Sequence, residues 1–331
     1  MNSSTAPAAD LKTQLLEFLD ADLRSVNDLL AKQLLSQSHF VREVIEHVSR
    51  FRGKQIRPVL TLLFERMLSG RNSRKAQQLA AAVETIHAAT LVHDDVIDEA
   101  ETRRHVATVH RRWNTETSVL LGDYLFSKAF HLAACTGDAG ACELIGRATD
   151  RTCEGELNQI AARLDQSTSE IEYFRIVRDK TGQLFGLSCL LGIRAGQGTD
   201  TQSMAARRFG MRLGMAFQIA DDVLDLTTTT ATTGKDAGND LQNRRLTLPI
   251  LRALRSLTPA ERSDFVSELF AMEQSDNGVQ KLPDLQTGIQ SAQATAADLV
   301  DRAKRELRHF VDCESRRLLH AVADFAIGRQ S

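Results

Sequence analysis

An all-α fold is predicted by three features of the 331-residue sequence. Proline, at 5 residues, is scarce, so helix breakers are few, and strand-favouring tyrosine numbers only 2. Ala, Leu, Gln, Glu and Arg, all good helix formers, fill most segments. Ala80, Val83, Ile86, His87, Thr90 and Leu91 recur at three- and four-residue spacing, whereas strand-like alternation is nearly absent.

In order, a first helix is expected over Asp10–Leu35, with Leu15, Leu16, Leu19, Leu23, Val26, Leu29 and Leu30 inward, and a second over His39–Val48. Gly53 then breaks the helix, and Pro58 suits the first turn of the next, which runs to Ser69. Lys54 and Arg57 fall at this junction, either as a solvated basic turn or beside free N–H groups that attract an anion. Gly70-Arg71-Asn72-Ser73 ends that helix, and the helix carrying the first acidic cluster follows. Further helices are expected over Thr117–Thr136, Gly140–Arg163 and Glu170–Ile193. The last contains Lys180-Thr181-Gly182, facing either a central cavity or solvent. Thr227–Thr233 reads as a loop leading to Gly234-Lys235-Asp236, and turns are expected at Ser275–Gly278 and Pro283. Residues 1–9 read as a disordered tail and 10–331 as one domain.

Composition narrows the function. Hydrophobic residues, at 42%, suffice for a full core, and 41 Lys and Arg against 43 Asp and Glu leave −2. That balance argues against general nucleic-acid binding. Five scattered cysteines without a CxxC motif read as reduced thiols, not a disulfide frame or zinc site. No apolar run approaches a membrane span, and no signal peptide is evident. A cytoplasmic protein is expected.

Two acidic clusters carry the chemistry. Asp94, Asp95 and Asp98 close one apolar helical run, and Asp221, Asp222 and Asp225 close another. Acids four apart share a helix face, where they repel unless a cation sits between them. Hard oxygen donors suit Mg²⁺, which takes few carboxylates and completes its shell with water and phosphate. A lone cluster of this kind is most simply a solvated helix end; two point to one site of two or three ions gripped from both sides. With Lys54, Arg57, Arg103, Arg104, Lys180, Lys235 and Arg244-Arg245 among apolar helices, the parts suit a diphosphate on a hydrocarbon tail.

These motifs, in the order Lys54–Pro58, DDxxD, Arg103-Arg104, Lys180-Thr181, FQxxDD and Gly234-Lys235-Asp236, resemble the trans-polyprenyl diphosphate synthases over nearly the whole chain. The resemblance implies an isoprenoid synthase-type helical bundle around a central apolar cavity, a homodimer, and Mg²⁺-dependent head-to-tail condensation of isopentenyl diphosphate with an allylic prenyl diphosphate. It implies that Asp94, Asp98 and Asp221 bind metal, supported by Asp222 and Asp225. Arg103, Lys180 and Lys235 would hold the allylic diphosphate, and Lys54, Arg57, His87 and Arg104 the isopentenyl diphosphate. Thr181 and Gln218 would turn oxygens toward the allylic cation, and released pyrophosphate would take the proton. His93 reads as structural.

Product length follows from size. Bulky aromatics just before the first acidic cluster block the tunnel in short-chain members; here Ala89 and Thr90 are small. Ile86 and Val83 would lie deeper as a partial floor. A product of about C25 to C50 is expected, the limit being set by how much chain the cavity holds. Where the family has RRGxPT, this chain has Arg103-Arg104-His105-Val106-Ala107-Thr108, and Arg245 replaces a usual lysine, keeping charge but changing geometry. Asn239 stands where an acid is common. The alternatives are a non-catalytic or regulatory subunit of a heteromeric synthase, and a class I terpene cyclase. The complete motifs argue against the first, and the isopentenyl-binding set against the second.

Overall fold

The computed structural model describes residues 6–51, 53–165, 168–227, 240, 243–271 and 285–328. Its elements are nearly all helices. They are α1 (Ala6–Gln33), α2 (His39–Ser49), α3 (Ile56–Ser69), α4 (Arg74–Ile97), α5 (Val109–Arg112), α6 (Thr115–Ala134), α7 (Ala139–Asp165), α8 (Glu170–Val177), α9 (Gln183–Ala195), α10 (Asp200–Thr227), α11 (Leu248–Ala253), α12 (Pro259–Ala271), α13 (Leu285–Glu306) and α14 (Glu314–Ile327). Helix α1 starts at Ala6, inside the stretch expected to be a tail. Pro7 falls in the first turn, where a missing N–H has no intrahelical partner to lose.

Local sequence explains the boundaries. Ser73 caps α4 by accepting from Ala76 N at 3.2 Å, and the Glu65 carboxylate takes Ser73 N at 2.8 Å. Asn114 caps α6 through Thr117 N at 2.7 Å. Ser169 and Glu172 form a reciprocal capping box at α8. Gly70, at φ 72°, closes α3 in the left-handed region.

Helices α3, α4, α9 and α10 surround the main core, with Phe64, Phe185 and Phe209 fully buried. The Phe64 ring meets Phe209 at 5.5 Å and Phe310 at 5.6 Å, both edge to face. A smaller apolar cluster of Val44, Phe51, Ala89, Val92, Val109, Leu121 and Leu125 lies between α2, α4, α5 and α6.

Two departures from the sequence expectation both fall at the site. The helix expected over Glu170–Ile193 is interrupted by a π-helical turn, Arg178–Gly182, a feature common at functional positions. The segment after the first acidic cluster folds into a small antiparallel hairpin, β1 (Thr102–Arg103) with β2 (Val106–Ala107), pairing Arg103 with Val106. Its two central residues, Arg104 and His105, have φ of 52° and 63°. A two-residue turn with both φ positive is the type I′ geometry that suits strand twist. The replacement of the usual glycine by His105 therefore leaves the turn in place but puts a β-carbon in a left-handed conformation. The Thr228–Thr233 stretch, Lys235, Asn239 and the turns at Ser275–Gly278 and Pro283 lie outside the described residues.

Candidate active site

One cavity of about 2160 Å³ opens between the ends of α4, α7, α8 and α10. That exceeds the volume typical for a single small ligand, roughly 300–1,000 Å³. Lys54, Arg57, His87, Thr90, Asp94, Asp98, Arg103, Arg104, Lys180, Thr181, Gln218, Asp221, Asp222 and Asp225 all line it.

On α4, helical spacing sorts the acids. Asp94 and Asp98 face the cavity, whereas Asp95 is buried. Asp95 receives Arg103 Nε at 2.8 Å and Arg103 Nη2 at 2.6 Å. Burial pushes Asp94 up to about 6 against the pull of Lys180. Lys180 Nζ stands 3.8 Å from Asp94 and closer still to Glu156. Glu156 Oε1 is buried without a hydrogen-bond partner. Asp98, at the end of α4, meets Arg245 and Arg163.

The opposite wall rests on a close approach of α10 to α9. A β-carbon at Gly214 would lie 3.0 Å from Gly182 Cα and from Phe185 Cβ, so any larger residue there would push the two segments apart. That proximity brings Thr181 Oγ1 to donate to Gln218 Oε1 at 3.0 Å. Gln218 Nε2 in turn donates to Asp222 at 2.9 Å, and the Tyr173 hydroxyl donates to the other oxygen of Asp222. Burial raises Asp222 to about 6 despite these donors. Gly155 serves the same purpose on α7: a β-carbon there would be 2.5 Å from Lys180 N.

The cationic end lies beside α3. Arg57 is half-buried on the cavity wall, its guanidinium 4.6 Å from the Phe185 ring centroid, and desolvation lowers it to about 10. Lys54 Nζ lies 4.4 Å from the Phe325 ring centroid. Burial and then the charges of Arg57, Arg103 and Arg104 hold His87 well below its ordinary value, so the ring is neutral in this state. His93 also lines the cavity, and its Nε2 bonds the Val119 carbonyl at 3.0 Å, tying α4 to α6.

Ala89 and Ile86 do not line the cavity. Both are fully buried, Ala89 against Leu121 and Leu125 and Ile86 in the main core. With about 100° per residue, the cavity face fixed by His87, Leu91, Asp94 and Asp98 leaves residue 89 on the far side. Ala88, Thr90 and Leu91 occupy the lining instead, with Leu125 and Phe126 from α6. The sequence reading also missed Glu156, Tyr173 and Glu84. Glu84 is legible in retrospect, three residues before His87 on the same face; Tyr173 has no local signal, because its partner Asp222 is far along the chain.

Among the described residues, no three His, Cys, Asp or Glu side chains converge enough to hold a metal ion unaided. The donor set nevertheless fits a hard divalent ion: it is all carboxylate, two of its anions are destabilised by burial, and such an ion draws remaining ligands from phosphate and water.

The helical bundle thus encloses a cavity whose walls are acidic, basic and apolar in turn, a lining that suits a polyanionic head on a hydrocarbon tail. Residues 38–285 match the polyprenyl synthetase family. The chain is 33% identical over 299 residues to an octaprenyl diphosphate synthase of Haemophilus influenzae, covering 90% of this chain and 89% of that one. It is 36% identical over 240 residues to heptaprenyl diphosphate synthase component 2 of Geobacillus stearothermophilus, covering 72% and 75%. The crystal structure of a Caulobacter crescentus polyprenyl synthase, complexed with calcium and isoprenyl diphosphate, superposes with a TM-score of 0.90 at 34% identity, covering 97% and 98%. The chain belongs to the polyprenyl synthetase family and is a prenyltransferase.

Proposed function

We propose that the protein condenses isopentenyl diphosphate with an allylic prenyl diphosphate, releasing pyrophosphate and giving an all-trans product of about C25 to C50. The observation that carries this reading is a single cavity in which both acidic clusters and a separate basic pocket meet apolar walls. The relatives named as octaprenyl and heptaprenyl synthases support the length range.

Mg²⁺, two or three ions held by Asp94, Asp98 and Asp221 with Asp222 and Asp225 behind them, would neutralise the leaving diphosphate. Lys180, beside Asp94, holds the allylic diphosphate, joined by Arg103 and Lys235. Thr181 and Gln218 present oxygens to the carbon that loses the diphosphate, fixed by the hydrogen-bond chain to Asp222. Lys54, Arg57, His87 and Arg104 fix the second diphosphate. Apolar lining from α4, α6 and α8 excludes water from the cation. The test is product sizing after incubation with Mg²⁺, isopentenyl diphosphate and primers of increasing length. A ladder ending beyond C20 supports the reading; no condensation with any primer overturns it.

The tunnel assignment follows the corrected lining. Thr90→Phe shortens products, because its side chain faces the cavity. Ala89→Phe instead overpacks the cluster with Leu121 and Leu125, costing about 1–3 kcal/mol. A larger shortening by Ala89→Phe than by Thr90→Phe would reverse this placement.

We further infer a homodimer without a membrane span. Val119, Leu120 and Phe130 are exposed on α6, an apolar face that a second copy would cover. Among the described residues no helix is long and apolar enough to cross a membrane. A second reading, one part of a two-part synthase, is favoured by the likeness to a protein named component 2. Turnover by the purified chain alone excludes it.

A further inference from the structure

His47 takes no part in the reading above, yet it is among the most buried polar side chains, 3% exposed on α2. Its Nε2 meets the Ala107 carbonyl at 2.7 Å, and its Nδ1 meets Arg112 Nη1 at 2.9 Å. A carbonyl only accepts and a guanidinium only donates, so the ring is neutral with its proton on Nε2. The ring faces are also engaged: Trp113 packs edge on at 5.1 Å and Phe51 at 5.4 Å. Arg112 is steadied in turn by Glu43 at 3.1 Å.

Both ends of this cluster bear on the hairpin. Ala107 is the last residue of β2, and the Phe51 carbonyl accepts from Arg104 at the hairpin's tip. Arg104 lies so close to Gly53 that a β-carbon there would be 2.5 Å from its Nη2. The two arginines are held differently. Arg103 is pinned by the buried Asp95 carboxylate. Arg104, in a left-handed turn, depends on where the hairpin and Phe51 stand.

We propose that His47 is a positioning residue that sets Arg104 for the isopentenyl diphosphate by tethering β2 and Phe51 to α2, an inference that rests on the substrate assignment above. It acts on one substrate and not the other because Arg103 keeps its own anchor.

The test uses the full chain and two variants. His47→Phe keeps a ring between Trp113 and Phe51 but removes both hydrogen bonds; His47→Gln returns an N–H donor near the Nε2 position. Hydrogen exchange is read first, on folded protein without substrate. Exchange of residues 102–108 is expected to rise about tenfold in His47→Phe and to recover partly in His47→Gln, with α9 unchanged. Unchanged exchange at the hairpin overturns the tether, whatever the enzyme makes. Steady-state kinetics then follow. The KM for isopentenyl diphosphate is expected to rise about tenfold in His47→Phe, with the allylic KM within twofold and kcat little changed. In an Arg104→Ala background the same change is expected to add nothing. Equal rises in both KM values, or an undiminished effect in that background, overturn the role in substrate positioning. A wild-type chain that turns over no substrate overturns the substrate assignment and the role in positioning with it, while the tether stands or falls on exchange alone.

Discussion

The two acidic clusters share a sequence pattern but solve the same electrostatic problem differently. In each, the second aspartate turns inward and is buried: Asp95 on α4, Asp222 on α10. Asp95 is compensated by a full charge, Arg103, only eight residues on. Asp222 is compensated by neutral donors, Tyr173 and Gln218, the first of which arrives from α8. A buried ion pair leaves a stranded charge when one partner is lost, whereas neutral donors leave only an imperfectly solvated acid. Loss of its buried aspartate is therefore expected to cost the first wall more than the second, while each wall carries an aspartate raised to about 6, Asp94 on the first and Asp222 on the second.

The largest effect expected is common to both walls. Asp94→Asn and Asp221→Asn should each lower kcat/KM by about 10²–10³, the loss typical for removing one group that stabilises charge in the transition state. Equal losses would show that the walls act as one site; a loss confined to Asp94→Asn would break the symmetry and assign α10 a supporting part.

The next effect separates the walls. Asp95→Ala strands Arg103, 22% exposed in its side chain, and should destabilise the fold by about 3–5 kcal/mol in urea unfolding. Asp222→Asn should do the opposite in metal-free protein. The folded-state value of Asp222, about 6, lies above its ordinary 3.8. The folded state thus holds the proton more tightly, and the stability this confers is present below about pH 4 and lost as pH rises through about 6. Removing the charge should therefore stabilise the protein at pH 8 by about 1–3 kcal/mol and flatten its stability between pH 4 and 6. A variant less stable than wild type at pH 8 would mean that the Tyr173 and Gln218 donors outweigh burial.

The same contrast explains what was legible in sequence. Local patterns identified the helices, because capping residues and apolar spacing act within one or two turns. They also placed Asp94, Asp98 and His87 on one face, since the helix period alone decides that. The period equally should have moved the tunnel lining from Ala89 to Ala88, Thr90 and Leu91. Asp95's turn inward was foreseeable in the same way, with an arginine pair close behind it. Tyr173, Glu156 and the π turn were not legible, because each is created by packing between segments distant in sequence. The Gly182–Gly214 contact that joins Thr181 to Gln218 is of that kind: either glycine alone could be any helical glycine.

The smallest effect concerns the hairpin that distinguishes the first wall from the second. His105 sits at φ 63°, a region that a non-glycine residue enters at a cost of about 1–2 kcal/mol, less for the polar side chains that tolerate it. His105→Gly should remove that strain, offset by the greater freedom of glycine in the unfolded chain. A net stabilisation of about 0.5–1 kcal/mol is expected, read as a shift in the urea midpoint without change in slope. Arg104 shares the left-handed turn, at φ 52°, yet cannot be relieved in the same way, since its guanidinium lines the basic pocket. If His105→Gly left stability unchanged but raised the KM for isopentenyl diphosphate, the strain would be serving to hold Arg104 in place. The first wall would then owe its geometry to a tension that the second, built on neutral hydrogen bonds, does without.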